Sequence, residues 1–255
     1  MMSSTNVVVT GAAGGMGAAA VALLLARSVN VLAVDRDEAR LRALAKKWQV
    51  GPGEIEIRVA DVGDANDVEA FIGRAVERWG GLDGLFNIAG ILGEFAFIAD
   101  SSDEGFDEVI RVNTKSVWLG MKYALPHLIA RGGGAIVSTG SYLAWHACEL
   151  LGPYNASKHA LVGLTKTAAL EYSSHNIRVN LVCPGSMDTQ MNIDTAAGLY
   201  PGDPEAGLRQ LAANTATGRF ADPAEVAAVG VFALLDAPMQ MTGALIPVDG
   251  GASAK

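Results

Sequence analysis

Cysteine is scarce: the 255 residues contain two, Cys148 and Cys183. Their separation matches no metal-ligand or redox-pair spacing, so no metal site or disulfide is expected, only reduced thiols in a cytoplasmic protein. Charge is thin. Charged residues make up 18% of the chain, the formal net charge is −8, and no basic run occurs. That excludes nucleic acid and anionic membrane as expected partners. No stretch of about 18 apolar residues runs free of charge or glycine, so no membrane span is expected. A basic leader followed by an apolar run is also missing, which leaves no signal peptide to expect. There is no internal repeat and no low-complexity linker. Residues 1–255 therefore read as one domain.

What is present is apolar material and glycine. Half the residues are hydrophobic and 30 are glycine, enough for a sizeable core with many tight turns. Short apolar runs at 6–10, 29–34, 54–60, 82–87, 135–139, 176–183 and 243–248 read as strands. Helical patterns lie between them at 18–26, 37–48, 65–79, 106–131 and along the stretch ending at 175, with another from Pro223 to 235. Asp222 is its expected N-cap, with proline at the first helical position. Steady alternation of strand and helix predicts a parallel sheet covered by helices on both faces. Residues 186–217, with Pro201, Pro204 and several glycines, are the most loop-like stretch and a natural substrate-binding lid. Residues 156–170 are apolar on more than one side, which points to burial against another subunit.

The first strand runs into Gly11-Ala-Ala-Gly-Gly-Met-Gly17 and then a helix. That context suits a phosphate cradle. Gly11 permits the tight turn, Gly15 lets backbone approach a pyrophosphate, and Gly17 lets helix pack on strand, with Met16 inside the turn. The second strand ends in Asp35, where a carboxylate can accept from ribose hydroxyls and repel a 2′-phosphate. It argues for NAD, while Arg36 beside it is the residue that could hold the phosphate of NADP. Asp61, before Val62 at the end of the third strand, either binds an adenine amino group or caps the next helix. Asn113, inside a helical stretch, reads on its own as an exposed or locally bonded amide.

Tyr154 and Lys158 are four apart, one helical turn on one face. A cation about 4 Å away at an effective dielectric of about 20 would favour phenolate by about 4 kcal/mol, or roughly three pKa units, as an upper limit. That would bring the tyrosine toward acid–base work near neutrality. Ser141, thirteen residues before Tyr154, could hold a substrate oxygen while Tyr154 moves the proton.

These elements together resemble the short-chain dehydrogenase/reductase family over essentially the whole chain. The matching residues are Thr10-Gly11-x-x-x-Gly15-x-Gly17, Asp61-Val62, Asn87-x-Ala89-Gly90, Asn113, Ser141, Tyr154-x-x-x-Lys158, Pro184-Gly185-x-x-x-Thr189 and Val248-Asp249-Gly250-Gly251. The resemblance implies an α/β fold, a single Rossmann-like, doubly wound, parallel seven-stranded sheet in the order 3-2-1-4-5-6-7. It implies Tyr154 as general acid–base and Lys158 as the residue that lowers its pKa and holds the nicotinamide ribose. Ser141 would bind the substrate oxygen, and Asn113 would position a water linked to Lys158. Asp61 and Val62 would border adenine, and Asn87, Ala89 and Gly90 would line the adenosine side. Pro184, Met187 and Thr189 would hold the carboxamide edge, Met187 through its backbone, and Gly185 would also contact the cofactor. The family usually has Asn where this chain has Ile88, which removes a polar brace between central strands. The Tyr-x-x-x-Lys spacing separates the chain from enoyl reductases, whose spacing is longer. The resemblance also suggests a homotetramer.

Around the expected pocket mouth lie Phe95, Phe97, Leu143, Trp145, His146, Leu151, Met187, Met191 and Tyr200, with no Lys or Arg. Phe95, Leu143, Trp145, Leu151 and Met191 are the candidate substrate residues; His146 reads as a surface or structural residue ahead of a substrate contact, and His127, His159 and His175 are not expected to act. The expected substrate is a neutral, mostly apolar secondary alcohol or its ketone, cyclic or a dihydrodiol. Two other readings stay open: an NADPH-dependent ketoreductase such as a 3-oxoacyl reductase, and a non-catalytic nucleotide-binding sensor.

Overall fold

A computed structural model describes residues 5–48 and 52–254. The strands are β1 (Asn6–Thr10), β2 (Asn30–Asp35), β3 (Ile55–Val59), β4 (Gly84–Asn87), β5 (Gly134–Thr139), β6 (Ile177–Pro184) and β7 (Leu245–Val248). All pair in parallel, in the order β3-β2-β1-β4-β5-β6-β7. The helices are α1 (Gly15–Ala26), α2 (Glu38–Trp48), α3 (Ala65–Trp79), α4 (Asp103–Ile110), α5 (Ser116–Arg131), α6 (Gly152–Tyr172), α7 (Gln190–Leu199), α8 (Pro204–Ala213) and α9 (Pro223–Leu235). The fold is the Rossmann-like arrangement expected.

Period-two alternation in β1 sorts its valines to opposite faces. Val8 joins the core made with α3, α5 and α6, while Val7 and Val9 join the core made with α1 and α9. All three are fully buried, which is why the run reads as continuously apolar. Strand order reverses between β1 and β4, so a crevice opens at the carboxyl ends of the strands there. Thr10 Oγ1 spans it, accepting from the Ile88 N–H at 3.2 Å. The missing polar side chain at 88 is thus offset by a main-chain bond, and Ile88 itself packs into the core.

Three details differ from expectation. Helix α1 begins at Gly15 rather than 18, so Gly15 and Gly17 form its first turn. The long helix expected over 106–131 is α4 and α5 joined by a π-helical turn at Arg111–Lys115, with Asn113 at its centre. Residues 186–217 are not mainly loop: they hold α7 and α8. Asp203 caps α8, accepting from the Ala206 N–H at 2.9 Å, with Pro204 at the first turn. Two of the glycines there, Gly198 and Gly207, allow ring contacts. A Cβ on Gly198 would stand 2.3 Å from the Phe95 ring, and one on Gly207 2.7 Å from the Tyr200 ring.

Candidate active site

A cavity of about 700 Å³ follows the crevice from Arg36 and Asp61 at one end to Met191 and Leu211 at the other. Gly11, Gly15, Met16 and Gly17 form one wall. Gly11 has a left-handed φ of 66°, and a Cβ there would meet the Ala89 nitrogen at 2.6 Å. A Cβ on Gly17 would meet the Gly11 carbonyl oxygen at 2.1 Å. Gly14 precedes α1 without a side-chain cap, so no side chain satisfies the first N–H groups of the helix. A close glycine turn on an uncapped helix N-terminus is the donor set a pyrophosphate needs, and the residues present fit a dinucleotide.

Asp35 lies at the end of β2, lining the cavity with Arg36. Its carboxylate accepts from the Ala13 N–H at 2.9 Å and the Asp37 N–H at 3.0 Å, which fixes its orientation and latches the glycine turn. Arg40 lines the same end. Sequence reasoning missed it, although it follows Arg36 by one helical spacing.

Asp61 does not cap α3. Asp64 does, accepting from the Asn66 and Asp67 N–H groups at 2.8 and 3.1 Å. Asp61 instead accepts from the Gly63 N–H and from Arg111 Nη1, both at 2.8 Å. Burial pushes this carboxyl upward, but those two donors outweigh it and hold it below the usual carboxylate range.

Ser141, Tyr154 and Lys158 meet in the middle of the cavity, all buried. Ser141 ends the loop after β5 and caps the turn Tyr142–Ala144, its Oγ accepting from the Leu143 N–H at 3.1 Å. Tyr154 and Lys158 lie on the first turns of α6. Lys158 Nζ donates to the Thr139 carbonyl at 2.9 Å and sits over the Tyr154 ring, 5.5 Å from its centroid. The lowered phenol that the spacing suggested is not what the protein alone gives. Burial pushes the Tyr154 phenol up to about 12, against the lowering effect of a hydrogen bond with Ser141. Burial also brings Lys158 down to about 8. In the protein alone, desolvation is the largest influence on both groups.

Asn113 is buried, and its partners are distant in sequence, so it is neither the exposed nor the locally bonded amide its helical position suggested. Its Oδ1 accepts from the Ile91 N–H at 2.8 Å, and its Nδ2 donates to the Ile91 carbonyl at 2.9 Å and to Ser157 Oγ at 3.0 Å. Ser157 Oγ in turn donates to the Tyr154 carbonyl at 2.7 Å. The π-helical turn thus ties the segment after β4 to the start of α6. A Cβ on Gly90 would stand 3.3 Å from Asn113 Oδ1 and 3.6 Å from Lys158 Nζ, so glycine there keeps the space between amide and ammonium clear.

Val62, Ala89, Gly90, Pro184, Gly185, Met187 and Thr189 also line the cavity, as do Leu143, Leu151 and Met191. Asn87 stands behind the wall, bonded to Ser138 Oγ at 3.2 Å. Phe95 and Trp145 are not part of the lining. Phe95 lies under α7 against Gly198, and Trp145 packs into the core with α5 and α6. Phe97 is exposed, Tyr200 packs on Gly207, and His146 lies against the rings of Tyr142 and Trp145. Sequence reasoning missed Leu92, Tyr142, Cys148, Leu199 and Leu211. Tyr142 was within reach of inference, being next to Ser141. The leucines of α7 and α8 were hidden by reading that segment as loop.

A family model described as enoyl-(acyl carrier protein) reductase matches residues 11–253. The chain is 33% identical to levodione reductase from Leifsonia aquatica, over 97% of this chain and 94% of that one. It is 36% identical to 2,5-dichloro-2,5-cyclohexadiene-1,4-diol dehydrogenase from Sphingobium indicum, over 99% and 98%. The crystal structure of levodione reductase superposes with a TM-score of 0.95 at 32% identity, covering 98% of each chain. That of an actinorhodin polyketide ketoreductase with NADPH superposes with a TM-score of 0.93 at 30% identity, covering 99% and 98%. The Tyr154–Lys158 pair beside Ser141, the glycine turn and these full-length matches have one reading: the chain belongs to the short-chain dehydrogenase/reductase family, as an NAD(P)-dependent oxidoreductase acting on CH–OH groups.

Proposed function

We propose that the protein interconverts a neutral cyclic secondary alcohol and its ketone, with NAD as the preferred cofactor. The observation that carries the substrate class is the lining beyond Ser141 and Tyr154. Leu143, Leu151, Met187, Met191, Leu199 and Leu211 stand there among Tyr142, Asp188 and neutral polar side chains of α7, with no Lys or Arg other than Lys158, whereas Arg36 and Arg40 sit at the opposite end. Such a wall favours an uncharged, apolar body over an acidic one. The names of the relatives support a ring, since one acts on a cyclohexadiene-1,4-diol.

Bound NAD supplies the carbon that gives or takes the hydride. Tyr154 moves the proton at its phenol oxygen, giving it to a developing alkoxide or taking it from the alcohol. As a neutral phenol it is ready for reduction. In oxidation its proton must leave, and Lys158, still mostly protonated at pH 7, favours that by its charge. Ser141 donates to the reacting oxygen and stabilises its charge in the transition state. Asn113 holds the segment bearing Gly90 and positions water next to Lys158.

NAD is favoured because Asp35 presents a fixed carboxylate where a 2′-phosphate would lie. NADP is the second reading, favoured by Arg36 and Arg40 lining the same end. Binding of NADH and NADPH, side by side in wild type and Asp35→Asn, tests the choice. Asn preserves the acceptor for the Ala13 N–H, whereas Ala would also unlatch the glycine turn. NADH is expected to bind at least about tenfold tighter to wild type, about 1.4 kcal/mol, with the margin reduced in the variant. Tighter NADPH binding overturns the cofactor reading. Failure to oxidise any cyclic secondary alcohol with either nucleotide overturns the substrate reading.

A further inference from the structure

The substrate end of the cavity is apolar, with Leu92, Leu143, Leu151, Leu199 and Leu211 in its wall. Polar side chains reach it from α7, and each already donates a hydrogen bond within its own segment. Asn192 Nδ2 donates to the Met187 carbonyl, Thr195 Oγ1 to the Met191 carbonyl at 2.7 Å, and Gln190 Nε2 to Asp194 at 2.9 Å. Tyr142 differs. It lines the cavity, and its hydroxyl makes no hydrogen bond among the described residues. The side chain is nonetheless held in place. Its ring packs against the cluster of Leu143, Leu151 and Tyr154 and lies 6.2 Å from the His146 ring, centroid to centroid. Its backbone begins the turn that Ser141 caps. Burial first, then Cys148 and Asp249, keep the phenol above its ordinary pKa, so it is a neutral group able to donate and to accept.

A fixed hydroxyl without a protein partner, one residue from the group that would hold the reacting oxygen, is a recognition element looking for a second polar atom. Resting on the cyclic-alcohol reading above, we propose that Tyr142 is a specificity-determining residue that hydrogen-bonds a second oxygen of the substrate. The preferred substrate is then a ring bearing two oxygens, a cyclic diol or hydroxyketone, rather than a ring bearing one. A simple cyclic alcohol would cover the hydroxyl and leave it unbonded, and a site built to bond a substrate oxygen discriminates against an analogue that lacks it.

The test is the ratio of kcat/KM for cyclohexane-1,2- and 1,4-diols to that for cyclohexanol, in the full chain with excess NAD or NADP, for wild type and Tyr142→Phe. Phe keeps the ring and its packing, and a thermal melt confirms the fold. Wild type is expected to prefer at least one diol by about tenfold or more, with that ratio falling by about tenfold in Tyr142→Phe. An unchanged ratio in the variant overturns the proposal, including the case where both substrates slow equally because Tyr142 merely tunes Tyr154. A wild type that turns over cyclohexanol as well as every diol also overturns it, without need of the variant, and leaves the cyclic-alcohol reading standing. Turnover of open-chain alcohols only would overturn both.

Discussion

At the scale of single residues, the site sets stability against function. Lys158 is 4% exposed and has one carbonyl acceptor. Its fall from 10.5 to about 8 corresponds to about 3 kcal/mol against the charged form. Lys158→Met should therefore abolish useful turnover and raise stability near pH 7, by up to about 3 kcal/mol less the loss to the Thr139 carbonyl. The sign follows from linkage. Between pH 8 and 10.5 the unfolded chain keeps this proton and the folded chain gives it up, so wild-type stability from Lys158 rises with pH across that window. The advantage of the variant should shrink there and be gone above it. Tyr154 and Cys183, both pushed up to about 12 by burial, act in the opposite sense at alkaline pH. They are present in both proteins, so the difference reports Lys158 together with its coupling to Cys183. Tyr154→Phe should also lose turnover, by about 10²–10⁴-fold, with no such gain. Denaturant melts of both variants from pH 7 to 10.5 check this, and a less stable Lys158→Met at pH 7 would contradict it. The pairing of Tyr154 with Lys158 was legible from spacing. Their shifted acidities were not, because spacing is blind to burial.

At the scale of elements, the turn from β1 into α1 separates two kinds of glycine. A Cβ on Gly17 would stand 2.1 Å from a main-chain oxygen, and main chain held by β1 and α1 cannot yield. A Cβ on Gly15 would meet the Thr189 methyl at 3.0 Å, across the cavity, and a side chain can turn away. Gly17→Ala is expected to lose about 3 kcal/mol or more of stability. Gly15→Ala should fold with a nearly unchanged melting temperature and bind dinucleotide about tenfold more weakly. Melts and nucleotide titrations of the two variants decide it, and equal destabilisation of both would refute the distinction. This turn was readable because glycine spacing reports backbone approach directly. Two other elements were not. The π-helical turn around Asn113 adds one residue to a helix without breaking the apolar rhythm of Val109, Val112, Leu119 and Met121. Helices α7 and α8 were obscured by Gly198 and Gly207, whose purpose is to admit the rings of Phe95 and Tyr200, and packing of that kind has no local sequence pattern.

At the scale of the whole molecule, alternation of strand and helix made only a parallel sheet legible; the strand order came from the family resemblance, and the structure has that order. The outer faces of the helices raise the question of assembly. Helices α5 and α6 leave Trp118, Ile129 and Leu170 exposed, Leu170 by 83%. On the other side of the sheet, α9 leaves Phe232 exposed, and Met239 follows just beyond it. Single exposed apolar residues are ordinary, and Phe97, Ile98 and Phe106 are exposed as well, but groups on opposite layers suit two self-complementary interfaces. Two such interfaces related by perpendicular dyads close a tetramer. A homotetramer is therefore expected, and Leu170→Glu should reduce it to a dimer through the remaining face, since burying an unpaired carboxylate is strongly unfavourable. Adding Phe232→Glu should give monomers. Light scattering coupled to size exclusion reads each state, and a monomeric wild type at micromolar concentration would end the argument. The lining that this chain supplies already runs from the Arg36 end to the Leu211 end. Turnover per site in the dissociated variants should then persist, reduced only as far as α6 loosens without a neighbour. Complete loss in a folded monomer would mean instead that the partner fixes the helix carrying Tyr154 and Lys158.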